Sequence, residues 1–94
     1  MFTIEQSQPD LVVLTGRFDA AQVDKAEQVL GSLEASTTLD LASLEYISSA
    51  GIGCLLRAYK RLTASGHQLR LVHARPHVRN IFHYSGLDQI LSVE

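Results

Sequence analysis

Tryptophan is absent from this chain, and cysteine and methionine each occur once in 94 residues. The single cysteine, Cys54, excludes an internal disulfide and fits a reducing compartment. Charge of one sign is also lacking: the formal net charge is -2, so no global basic field recruits nucleic acid. A local patch remains in Arg57, Lys60, Arg61 and Arg70. No apolar run approaches the roughly 18 residues of a membrane-spanning helix, and direct membrane insertion is not expected. The opening residues M-F-T-I-E-Q-S lack the charged-then-apolar layout of a signal peptide. The chain reads as cytoplasmic. Repeats, low-complexity stretches and linkers are missing too, which leaves one domain spanning residues 1–94.

What is present is a regular alternation of strand-like and helix-like segments, with 46% of residues apolar. Phe2 to Gln6 alternates apolar and polar, Gln8-Pro9-Asp10 is a turn, and Leu11 to Thr15 is a β-rich run closed by Gly16. The two runs form a hairpin. Asp19 opens a helix with Gln22 placed to complete a capping box. Val23, Ala26, Val29, Leu30 and Leu33 share one face of it, and Glu34 to Ser36 close it. Thr38 to Leu41 is a short central strand. A helix over about Ala50–Ala64 follows, ended by Ser65 and a left-handed Gly66. Leu69 to His73 is the next strand, and Pro76 starts a third helix that Gly86 ends. Ile90, Leu91 and Val93 form a last strand.

The order is β-β-α-β-α-β-α-β. It predicts an α/β fold with a mixed four- to five-stranded sheet, flanked by helices on at least one side. The expected core includes Leu14, Val23, Leu30, Leu39, Leu41, Ile52, Leu55, Leu56, Leu71, Val78, Ile81 and Phe82.

The segment E-Y-I-S-S-A-G-I-G-C-L-L, Glu45 to Leu56, sets two serines at the mouth of a helix directly after a buried strand. There the backbone N–H groups have no partner and the helix dipole is positive, which suits a serine cap and equally suits a phosphate.

Three blocks together resemble the STAS domain family, named for sulphate transporters and anti-sigma factor antagonists. They are L-V-V-L-T-G-R-F-D (Leu11 to Asp19), L-D-L-A-S-L-E-Y-I-S-S-A-G-I-G-C-L-L (Leu39 to Leu56) and V-R-N-I-F-H-Y-S-G-L-D-Q-I-L (Val78 to Leu91). The second is the most specific. The resemblance implies a single STAS-like domain acting as a phosphorylation-controlled anti-sigma factor antagonist. Unphosphorylated, such a domain binds an anti-sigma factor serine kinase of the histidine-kinase-like ATPase type and releases the kinase's target. Phosphorylated, it lets go, and a serine phosphatase resets it. The residue matching the family's phosphoacceptor is Ser49, with the adjacent Ser48 as second choice. Family members often carry aspartate where Ser48 stands, and a second serine or threonine where Ala50 stands. The implied partner surface comprises Asp19, Ser48, Ser49, Gly51, Gly53, Arg57 and Lys60. The two glycines would let another backbone come close.

Other chemistries fit less well. Gly51-Ile52-Gly53 lacks the remaining glycine and the lysine of nucleotide-binding loops, so no cofactor is expected. His73 and His77, with His67 and His83 nearby, have no cysteine or carboxylate cluster to complete a metal site. Ser-Ser-Ala-Gly is not the Gly-x-Ser-x-Gly elbow of hydrolases, and no base and acid are spaced for a triad, so no enzyme is expected. The alternative role within the same family is a non-switching accessory subunit of a membrane transport complex.

Overall fold

The computed structural model describes residues 1–94. Its five strands lie side by side in chain order: β1 (Phe2–Gln8), β2 (Leu11–Phe18), β3 (Thr37–Ile47), β4 (Leu69–Val72) and β5 (Ser92–Val93). β1 and β2 form the antiparallel hairpin, and β2 to β5 run parallel. Three helices make the crossovers: α1 (Val23–Leu30), α2 (Ser49–Ala64) and α3 (Pro76–Ser85). Successive right-handed crossovers between neighbours in one direction put every helix on the same face of the sheet. The fold is accordingly two layers around one core cluster of 23 residues.

Register decides which side chains enter that core. Ile4 pairs with Leu14, Val12 with Leu39, and Leu39 with Leu71, and all of them are buried. The intervening row, Glu5–Val13–Asp40–Val72, lies on the uncovered face and is half-buried or exposed.

Several expected boundaries move. β2 does not stop at Gly16 but continues to Phe18. Gly16 takes φ +88° inside the strand, where the Arg17 N–H donates to Met1 O at 2.9 Å. The expected capping box at Asp19 is not formed. Asp19 instead caps a 3-10 turn, Ala20–Gln22, by accepting from Ala21 N at 3.1 Å, and α1 begins only at Val23. α1 also ends earlier than expected, at Leu30 and Gly31 rather than Glu34–Ser36.

β3 runs well past Leu41 to Ile47. Its buried residues are Thr37, Leu39, Leu41, Leu44 and Ile47, a spacing of two and then three that no simple alternation reveals. Register shifts against β2 between Val13 and Thr15, and between Gly16 and Arg17, produce it. At the other end of the sheet, β4 stops at Val72 because His73 turns to φ +63°. The last strand shrinks to Ser92–Val93, with a 3-10 turn at Leu87–Gln89 before it.

Of the expected core, Val23, Leu56 and Ile81 are half-buried at its edge and the other nine are buried. Gly66 and Gly86 end α2 and α3 with φ +82° and +79° as expected, and Pro76 occupies the first turn of α3.

Candidate functional site

The parallel pairing of β2 with β3 brings their C-terminal ends together, Phe18 beside Ile47. Asp19 and Ser48, each one residue further, therefore emerge at the same edge. The Ser48 N–H donates to Phe18 O at 2.9 Å, which ties the two strand exits. Strand order does not reverse anywhere in this sheet, so it has none of the switch-point crevice in which doubly wound folds hold nucleotides.

The two serines have different environments. Ser48 is the N-cap of α2, half-buried, and its Oγ accepts from Gly51 N at 3.2 Å. Ser49 is the first helical residue and is exposed, and no side-chain hydrogen bond within the protein uses it. No acidic residue stands in the first turn of α2. The start of this helix is thus open to an anion, with the backbone dipole favouring one.

The two glycines of the loop also differ. Gly51 is buried, and a Cβ added there would lie 2.8 Å from Ile47 Cγ1 and 3.1 Å from Phe18 O. Its glycine serves the packing of α2 onto the strand ends and does not face outward. A Cβ on Gly53 would meet only Arg57 Nη1, at 3.4 Å, so this glycine does face outward. Ser49, Gly53 and Arg57 follow at four-residue intervals along one side of α2. Lys60 is exposed one turn beyond, and Asp19 is half-buried beside the loop.

Two residues outside the expected partner surface, Glu27 and Arg61, organise the flank. Glu27 of α1 receives two hydrogen bonds from Arg57, from Nε at 2.8 Å and Nη2 at 2.6 Å, both onto Oε1. This bond holds the Glu27 carboxyl below its usual range, although the exposed pair adds little stability. Arg61, one member of the local basic patch, donates to Leu33 O at 2.8 Å and Leu30 O at 2.6 Å. It closes the C-terminus of α1, where free carbonyls and the dipole favour a cation. The acceptors lie 28 and 31 residues away, so local spacing carried no signal for either contact.

Between α1 and α2 these groups frame a cleft of ≈ 200 Å³ with Cys54 at its floor. Burial pushes the Cys54 thiol up to about 12, and the neighbouring Glu27 charge adds to the effect.

The histidines do not converge. His73 Nδ1 lies 3.2 Å from Asp40, and His83 Nδ1 lies 3.2 Å from Asp88. No group of three or more His, Cys, Asp or Glu side chains is arranged to hold a metal ion. No helix is long and apolar enough to cross a membrane.

Comparison with known proteins adds three findings. The family model described as "Mlab, STAS domain" matches residues 1–92. The chain is 42% identical over 74 residues to the "Putative anti-sigma factor antagonist BtrV" of Bordetella bronchiseptica. That alignment takes in 79% of this chain and 58% of the relative, so the chain spans under two thirds of the relative's length. Among solved structures, an anti-sigma factor antagonist from Mycobacterium paratuberculosis superposes with a TM-score of 0.81 at 22% identity, over 99% of this chain and 83% of that one. The Bacillus cell fate determinant SpoIIAA in its phosphorylated form gives 0.71 at 21% identity, over 100% and 91%. At such identities the two structures speak for the fold.

Proposed function

Because the chain belongs to the STAS domain family, we propose that it is an anti-sigma factor antagonist switched by phosphorylation of Ser49. Unphosphorylated, it binds an anti-sigma factor serine kinase of the histidine-kinase-like ATPase type and so releases that kinase's target. A serine phosphatase reverses the modification. The role is regulatory, with no catalysis by this domain.

The observation that carries the choice of Ser49 is the division of labour between the two serines. Ser48 Oγ is committed to the Gly51 N–H as the helix cap, while Ser49 is exposed and uncommitted on a rigid helix start. The partner surface centres on Ser48, Ser49 and Gly53, with Asp19, Arg57 and Lys60 at its margin. A phosphate brings three acceptor oxygens and roughly -1.5 to -2 charges. A partner packed over the loop must bury or repel that charge. A penalty of only ~3 kcal/mol weakens binding more than a hundredfold. The switch then needs no refolding.

The test is incubation with the cognate kinase and ATP, followed by mass-spectrometric mapping of the modified residue. Ser49→Ala takes up no phosphate and still binds the kinase, since it adds neither charge nor bulk. Ser49→Asp weakens binding by less than the phosphate does, having less charge and fewer acceptors. Phosphate on Ser48 moves the assignment by one residue. An active kinase that modifies neither serine overturns the switch and leaves the accessory subunit of a transport complex as the role.

A further inference from the structure

Gly53 stands within α2, where a glycine weakens the helix relative to alanine, and nothing inside the protein requires it. An added Cβ would touch no backbone and no core side chain, only Arg57 Nη1 at 3.4 Å. That nitrogen is also the part of Arg57 that Glu27 leaves unused, because Nε and Nη2 carry both bonds to Glu27 Oε1. Helical side chains lean toward the helix N-terminus, and the guanidinium accordingly comes back over Gly53 toward Ser49. Side chains four residues apart stand about 5–6 Å from each other at Cβ. Ser49 leans the same way, away from Gly53, but rotation about its Cα–Cβ, Cβ–Oγ and Oγ–P bonds can swing a phosphate oxygen over the space that Gly53 leaves empty.

We propose that Arg57 is an internal ligand for a phosphate on Ser49, with Nη1 donating to a phosphate oxygen across Gly53 while Glu27 holds the guanidinium in place. This rests on Ser49 being the modified residue. Arginine suits the task because its planar fork serves two acceptors at once, carboxylate on one edge and phosphate on the other, which a lysine ammonium does not do in fixed geometry. Glu27 acts here as a positioning residue. Phosphorylation then changes the surface twice over: an anion appears at Ser49, and the cation at Arg57 is withdrawn from any partner it served.

The experiment uses full-length protein with phosphoserine inserted at position 49 during translation, so no kinase is needed and failure of the kinase reading stays separate from failure of this one. The midpoint of the phosphate titration is followed by phosphorus NMR. A cation at bonding distance favours the doubly charged phosphate, so Arg57→Gln raises the midpoint by about 0.7 pH unit, the value for one charge near ~4 Å in water. Gly53→Leu keeps the charge but fills the path, and raises the midpoint in the same direction. Lys60→Gln, a turn further away, shifts it by less than half as much. Equal midpoints for wild type and Arg57→Gln overturn the proposal, as does a Gly53→Leu protein that titrates like wild type. A Lys60→Gln shift as large as that of Arg57→Gln overturns it too, since the phosphate would then sense only general charge. A readout free of substitutions is the Arg57 side-chain N–H resonance, which moves when Ser49 carries phosphate; an unmoved resonance is equally fatal.

Discussion

Gly51 and Gly53 are two residues apart on one helix, yet alanine should have opposite effects at the two positions. At Gly51 the new methyl would sit 2.8 Å from Ile47 Cγ1, 3.1 Å from Phe18 O and 3.2 Å from Phe18 Cδ1. Ile47 and Phe18 are both buried, and Phe18 O already accepts the Ser48 N–H, so neither can move aside without loss. Overpacking of this kind costs about 1–3 kcal/mol. Against it stands the helical preference for alanine over glycine, up to ~1 kcal/mol. Three tight contacts at once put the cost in the upper part of that range, about 2–3 kcal/mol, so the net loss is about 1–2 kcal/mol. In a domain of this size each kcal/mol moves Tm by roughly 4–8 °C, so Gly51→Ala should melt roughly 5–15 °C lower. At Gly53 the same methyl meets only the exposed end of Arg57, at an ordinary contact distance. The preference for alanine then acts alone, and Gly53→Ala should match or exceed wild type by up to ~1 kcal/mol. Thermal and urea melts followed by circular dichroism measure both, and an unchanged urea slope shows that the comparison is one of stability. A Gly51→Ala protein as stable as wild type, or a Gly53→Ala protein less stable than Gly51→Ala, refutes the assignment of inward and outward faces.

Two further outcomes follow from the same geometry. Gly16→Ala combines a φ of +88° with a Cβ 2.1 Å from Met1 O, and should lower the urea midpoint more than Gly51→Ala; a smaller loss contradicts the close approach of the first residue to the β2 bulge. Cys54 is held protonated in the fold, its pKa raised from 9.0 to about 12 by burial and then by Glu27. The unfolded thiol ionises near its ordinary value while the folded one cannot, so the contribution is intact below pH 9 and lost as pH rises from there toward 12. Cys54→Ala should lose this alkaline decline, and the native thiol should react with a disulfide reagent at pH 8 only once urea unfolds the chain. A fast native reaction is the disproof.

Element type and order were legible because the apolar periods are clean: Leu55 and Leu62 of α2 and Val78 and Phe82 of α3 all reach the core. Boundaries were less legible wherever tertiary pairing overrides local pattern. β3 was cut short at Leu41 because its buried positions shift phase at the irregular pairing with β2, a property of two strands that neither shows alone. Gly16 read as a terminator, yet its positive φ sits inside a strand because Met1 O needs the space. At the site, the start of α2 and its serines were visible in residue type and spacing. The family resemblance ranked Ser49 above Ser48, but which of the two caps the helix was not visible, since that depends on which hydroxyl faces the Gly51 N–H. The contacts of Glu27 with Arg57 and of Arg61 with α1 join segments some thirty residues apart and have no local signature.

The serine loop has no slack in its backbone. The Ser48 N–H is bonded to Phe18 O, Ser48 O accepts the Ile52 N–H at 2.9 Å, and Gly51 and Ile52 are already anchored in the core. An enzyme that modifies Ser49 meets a residue wound into a helix, not an extended tail to lay along its cleft. Pulling the segment straight would break those bonds and drag Ile52 out of the interior. The proposed substrate is therefore a contour, made as much by the Asp19 turn as by the neighbours of the serine. A twelve-residue peptide copied from Glu45 to Leu56 keeps every adjacent letter and none of that shape, and should be a poor substrate. Ala50 is free to drift so long as the contour survives, and Ser48 only among residues that cap a helix.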